Sequence, residues 1–202
     1  MSAKIQAVRA REIIAGRGVV SLEVTVETED GALGVSTPES GVSTGTHEAS
    51  FLLDGGERYG GKGVRKAAEN VNTIIGPALV GMDVADQAAI DRTMIELDGT
   101  PNKARLGANA IVGVSLAALK AAAEGSGQPL YRMVGGVGAR TLPIPIYGIG
   151  TGGRYRDPGT SRWFKPSYEF CAFGAGGYAS ALEWSWRCER ETRLRLRRRL
   201  LL

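Results

Sequence analysis

Three observations predict an α+β fold. A strictly alternating strand and a hairpin turn lie near the amino end, three segments of helical period follow, and a Gly/Pro break near residue 140 separates them from renewed strand and helix signals. The alternation is clearest over residues 19–27, where Val20, Leu22, Val24 and Val26 interleave with Ser21, Glu23, Thr25 and Glu27, the period of a half-buried strand. Asp30-Gly31 reads as a hairpin turn into a short strand at 32–37, and an earlier strand at 5–10 completes a three-stranded antiparallel meander. The run from Thr37 to Gly45 is rich in Pro, Ser and Gly and predicts a mobile loop.

A helical layer comes next. Residues 64–75 place Ala67, Ala68, Val71 and Ile74 or Ile75 on one face, with Pro77 expected to end the helix. Asp83 is read as the cap of a second helix reaching Leu97, with Ala85, Ala88, Ala89, Met94 and Leu97 apolar and Asp98-Gly99 closing it. A third helix at 109–124 is Ala-rich and apolar almost all round, which predicts a place at the centre of the layer; Gly125 and Gly127 stop it. Gly135, Gly136, Gly138, Pro143 and Pro145 mark a boundary near Arg140, giving domains at 1–139 and 140–202. The second holds a strand at 142–149, a Gly/Arg/Pro loop at 150–165, a strand at 168–173, a helix at 178–190 and an Arg/Leu tail expected to be unstructured. Domains usually run to about 100 residues or more, so this one reads as unfinished.

Composition narrows the chemistry. With 202 residues, 43% hydrophobic and 23% charged, the chain is globular rather than disordered. Its net charge of +4 is concentrated at one end: between Arg187 and Leu202 seven Arg against two Glu give +5, leaving −1 for everything before. Two Cys exclude a disulfide framework, and a single His leaves little material for a His-rich zinc site or a Ser-His-Asp triad. The apolar stretch at 108–119 is interrupted by Asn109 and Ser115, short of the roughly 20 residues a membrane span needs. The first residues lack the apolar core of a secretory signal, so a cytoplasmic, reduced setting without a membrane partner is expected.

Five stretches carry a family resemblance: Ser40-Gly-Val-Ser-Thr-Gly-Thr-His-Glu-Ala49, Arg58-Tyr-Gly-Gly-Lys-Gly-Val64, Met94-Ile-Glu-Leu-Asp-Gly-Thr100, Leu106-Gly-Ala-Asn-Ala-Ile-Val-Gly-Val-Ser115 and Pro129-Leu-Tyr131. In this order they resemble enolase, the phosphopyruvate hydratase of glycolysis, from about Ile5 to Pro145. The resemblance implies an enolase N-terminal-like capping domain, then an incomplete beginning of a β/α barrel. It also implies a lyase that removes water from 2-phosphoglycerate to give phosphoenolpyruvate, with a small phosphorylated carboxylate as substrate, Mg²⁺ as cofactor and a homodimer in the full-length family. Proton removal beside a carboxylate builds an enediolate, whose charge a hard, oxygen-binding cation suits.

In the family a Lys is the base, a Glu the acid, three barrel carboxylates hold one metal, and a Ser of the mobile Ser-Gly-x-Ser loop helps hold a second. That serine corresponds to Ser43, a candidate for metal and substrate binding; His47 after it is read as structural. The family's Gly-Gly-Ser-His-Ala loop becomes Gly152-Gly-Arg-Tyr-Arg156, with Tyr155 in place of the histidine that approaches substrate. Its Gln-Glu-Phe becomes Tyr168-Glu169-Phe170, which keeps Glu169 as the candidate catalytic and substrate-binding carboxylate. Arg154, Arg156, Arg162 and Lys165 could meet phosphate or carboxylate but read more simply as a solvated loop. The catalytic Lys, the acid Glu and the metal carboxylates belong to later barrel strands, and a barrel needs about 250 residues. The chain is therefore expected to be a fragment or truncated product, inactive alone. Two alternatives remain: another carboxylate substrate, suited to Tyr155 and Tyr168, or a non-catalytic binding module using the Arg-rich end. No nucleic-acid partner is expected, since no known motif adjoins the Arg run and Trp163, Trp184 and Trp186 fall outside it.

Overall fold

A computed structural model of the protein describes residues 3–39, 41, 45–151 and 167–200, which form two units, Met1–Ala139 and Arg140–Leu202. The first is α+β. Strands β1 (Ile5–Ile14), β2 (Val20–Thr28) and β3 (Leu33–Ser36) form an antiparallel sheet in the order β1-β2-β3. Leu22, Val24 and Val26 of β2 are fully buried, while Glu23, Thr25 and Glu27 between them are only half-buried, so the alternation does set one face inward. β1 is longer than the expected 5–10. Cross-strand pairs on the outer face carry it to Ile14: Arg11 lies opposite Glu23 with an ion pair at 2.7 Å, and Arg9 reaches Glu27 at 3.1 Å. The hairpin turn falls one residue earlier than Asp30-Gly31: Glu29 and Asp30 are its centre, Gly31 N donates to Thr28 O (3.0 Å), and Gly31 leaves the turn at φ +87.

The helical layer differs in detail from its sequence pattern. The first helical run is α1 (Arg65–Asn70), a π-helical turn at Val71–Ile75 and α2 (Gly76–Leu79), with Ala67, Ala68, Val71, Ile75 and Leu79 buried. Pro77 does not end this run; it sits at the start of α2. The widened turn before it relieves the ring clash and missing N–H that break a regular helix at proline. Asp83 is not the cap of the next helix either. Its Oδ1 accepts from Ala85 N (2.9 Å), while Asp86 accepts from Ala89 N (3.0 Å) and caps α3 (Gln87–Asp98). Ala85 and Ala88 are consequently exposed, and the inward residues of α3 are Ile90, Met94 and Asp98. Gly99 at φ +68 closes it.

Helix α4 (Ala108–Gly125) is central as expected, with eleven of its residues buried. It crosses β3 so closely that a Cβ on Gly34 would lie 1.9 Å from the Ala117 carbonyl oxygen, which leaves glycine alone at that position. A short α5 (Leu130–Gly135), which the sequence pattern did not suggest, follows Pro129.

The second unit contains β4 (Ile146–Thr151), β5 (Ser167–Cys171) and α6 (Tyr178–Leu200). The two strands pair antiparallel with an irregularity between Gly148 and Gly150, and among the described residues no parallel strand pair stands beside them. Gly150 and Thr151 belong to β4 rather than to the loop expected there. The Arg/Leu tail is a correction: it is helical to Leu200, continuous with α6. Arg, Leu and Glu are good helix formers, and the i,i+4 pairs Glu183–Arg187, Glu189–Arg193 and Glu191–Arg195 support the turns.

Candidate functional site

Ser43, with Ser40, Val42 and Thr44, lies outside the described residues, but both arms of its loop are held. Upstream, the buried Ser21 hydroxyl donates to the Pro38 carbonyl (2.8 Å), and the Ser36 hydroxyl donates to the Gly113 carbonyl of α4. Downstream, Ser50 N donates to Asn102 O (2.7 Å) and Ala108 N donates to Ser50 O (2.8 Å). The buried Asn109 then treats Leu52 as a strand neighbour would: its Oδ1 accepts from Leu52 N (3.1 Å) and its Nδ2 donates to Leu52 O (3.2 Å).

This clamp explains the Leu106-Gly-Ala-Asn motif. Gly107 sits at φ +98, and a Cβ there would meet Asn109 Oδ1 and Leu52 Cβ, each at 2.6 Å. Asp98 steadies the same turn from beneath. Its Oδ2 accepts from Leu106 N (2.7 Å), its Oδ1 accepts from Thr100 N (3.0 Å), and its carbonyl accepts from Arg105 Nε (2.9 Å). Burial pushes the Asp98 carboxyl up, but the donors from Leu106 and Thr100, with the charge of Arg105, outweigh it and hold the acid below the ordinary 3.8. Two of the resembling motifs thus build a rigid frame for the loop, the kind of support a functional loop needs.

A third motif serves another junction. The Arg58 guanidinium grips the Glu12 carboxylate through both nitrogens, one bond at 2.9 Å, and Val64 N donates to Glu12 Oε2 at 2.8 Å. Asp54 receives Arg65 N (3.0 Å) and Lys66 N (2.9 Å) at the start of α1, and Arg58 lies over the Tyr59 ring at 4.3 Å. A concavity of about 660 Å³ opens beside this network, lined among others by Glu12, Arg58, Arg65 and Asn72. Arg58 is satisfied by Glu12, and Arg65 also approaches that carboxylate at 3.9 Å, so this is a structural knot between β1 and α1. Sequence reasoning missed Glu12, whose partner lies 46 residues away.

Glu169 stands on β5 opposite Gly148, exposed, with no hydrogen-bond or ion-pair partner among the described residues. Tyr168 beside it is exposed as well, and His47 is exposed in a turn. Tyr155 and the basic residues Arg154, Arg156, Arg162 and Lys165 lie outside the described residues. Of the expected site residues, the described ones are Glu169 and Tyr168, neighbours on β5, and His47. Among the described residues no group of three or more His, Cys, Asp or Glu side chains converges, so the Mg²⁺ implied by the resemblance has no fitting site there. Among the same residues no helix is long and apolar enough to cross a membrane.

Residues 5–134 match the family model described as "Enolase, N-terminal domain". Curated relatives agree. The chain is similar to a protein named Enolase from Methanothrix thermoacetophila, 56% identical over 155 residues, which are 77% of this chain and 37% of the relative. It is similar to a protein of the same name from Natranaerobius thermophilus, 57% identical over 153 residues (76% and 36%), and to one from Methanopyrus kandleri, 55% identical over 152 residues (75% and 36%). The chain thus spans little more than a third of the length of these relatives.

Proposed function

The chain belongs to the enolase family, and from that premise we propose that it supplies the N-terminal domain of a cytoplasmic, glycolytic lyase that dehydrates 2-phosphoglycerate to phosphoenolpyruvate. The match over residues 5–134 carries this reading. The anchored arms around the Ser43 loop support it: Ser21, Asn102 and Asn109 hold both ends of a segment that would reach a substrate.

In this reading the frame has one task. It keeps the loop's ends fixed, which would lower the entropy cost of bringing the Ser43 hydroxyl to a phosphorylated carboxylate. Glu169 would be the carboxylate near the leaving hydroxyl. A proton-abstracting Lys, a general acid and the carboxylates of a magnesium site would come from a barrel, and a homodimer would be the assembled form. In this reading that metal site would not be built from the described residues of this chain.

A chimera tests the proposal. Residues 1–139 replace the matching part of the Methanothrix thermoacetophila relative, and phosphoenolpyruvate formation from 2-phosphoglycerate is followed. The chimera is expected to be active, and Ser43→Ala within it to lower kcat at least roughly tenfold. A folded chimera without activity, or one indifferent to Ser43→Ala, would contradict the reading.

A further inference from the structure

Strands β1 and β3 are the edges of the first unit's sheet, and side chains of the helical layer bond to both. On β1 one neutral amide does so: Asn72 Oδ1 accepts from Ala10 N (2.8 Å) and Asn72 Nδ2 donates to Ala10 O (3.0 Å). On β3 the partners are two exposed charges of α4, about one turn apart. Glu124 Oε2 accepts from Leu33 N (3.0 Å), and Lys120 Nζ donates to Val35 O (2.7 Å).

Leu33 and Val35 are the residues whose backbone faces outward. Thr28 N donates to Ala32 O (3.0 Å), so Thr28 turns its N–H and C=O toward β3, and by the antiparallel alternation Val26 and Val24 do the same. Their opposite residues Gly34 and Ser36 therefore bond inward, while Leu33 and Val35 point their backbone groups away from β2. An edge with such groups free is a template for another strand. We propose that Lys120 and Glu124 form a strap that holds β3 shut against β3 of a second copy of this chain. None of these contacts involves the Ser43 loop or the second unit, so the strap is independent of the lyase reading.

The register fits a second copy. Antiparallel pairing about a two-fold axis through Gly34 sets Leu33 opposite the partner's Val35, and Val35 opposite the partner's Leu33. Each pair would exchange both of its bonds, Leu33 N–H to the carbonyl of the partner's Val35 and the N–H of the partner's Val35 to Leu33 O. The donor that Glu124 holds and the acceptor that Lys120 holds are thus each other's complements across that axis. Gly34 faces α4, so Leu33 and Val35 lie on the other face of the sheet, 48% and 43% exposed, where they would meet as an aliphatic cross-strand pair.

The test is sedimentation of the 202-residue chain and its variants at matched concentrations, with amide hydrogen exchange read at Val35. The double variant Lys120→Ala, Glu124→Ala keeps helix propensity in α4 and frees both backbone groups of the edge. Its mass should be at least about twice that of wild type, and exchange at the Val35 amide should slow at least roughly tenfold. Adding Val35→Pro removes an outward N–H that β2 does not use, a substitution an edge strand tolerates. The wild-type mass should then return, a reversal that misfolding would not produce. A double variant of wild-type mass, a rise in mass that survives Val35→Pro, or a rise with unchanged exchange at Val35 would each overturn the proposal.

Discussion

Glu12 and Asp98 illustrate what single side chains do here and how they can be probed. The Arg58 hydrogen bond lowers the Glu12 acid, burial pushes it back up, and the Val64 N–H lowers it again, leaving it below the ordinary 4.5. Asp98 lies below the ordinary 3.8 because its donors outweigh its burial. Both are depressed in the folded state, so their stabilisation is complete above the unfolded values of 4.5 and 3.8 and is lost as pH falls through the lower folded values. Melting temperatures measured from pH 7 to pH 3 should be flat down to about 4.5 and then fall, and Glu12→Gln should lower the plateau and soften the fall. A curve for Glu12→Gln parallel to wild type would contradict the role given to that carboxylate. Neither role was legible beforehand. The motifs named Arg58, Asp98 and Asn109, but the partners Glu12, Leu106 and Leu52 are matters of three-dimensional adjacency that no spacing encodes.

At the scale of elements, the period-two run of β2 and the apolar α4 were legible because burial on one face or nearly all faces writes itself into composition. Boundaries were less so. Two aspartates precede α3, and only the geometry of the turn decides that Asp86, not Asp83, meets the Ala89 N–H. Pro77 misled because a π-helical turn, which carries no composition signal, accommodates it. The close crossing of α4 over β3 can be probed at Gly34. Gly34→Ala forces a Cβ into the Ala117 carbonyl, so the helix must shift, and urea denaturation should show a loss of roughly 2–4 kcal/mol. A loss below about 0.5 kcal/mol would mean that α4 does not sit where the structure has it.

At the scale of the whole molecule, the first unit supplies a sheet, a helical layer and an anchored loop, and the second an antiparallel hairpin with a cationic helix. The α+β class was legible because strand and helix periods are segregated along the chain. The candidate site was legible only as motif: Ser43 and the Gly152-to-Arg156 loop lie outside the described residues, and Glu169 stands exposed on β5. The proposed function divides the labour: this chain would frame a substrate loop, and the chemistry would reside on a barrel. Calorimetric titration of Mg²⁺ into the purified 202-residue chain, with 2-phosphoglycerate present and product monitored, tests it most directly. No saturable uptake at micromolar ion and no phosphoenolpyruvate are expected. Stoichiometric, tight uptake accompanied by turnover would contradict it.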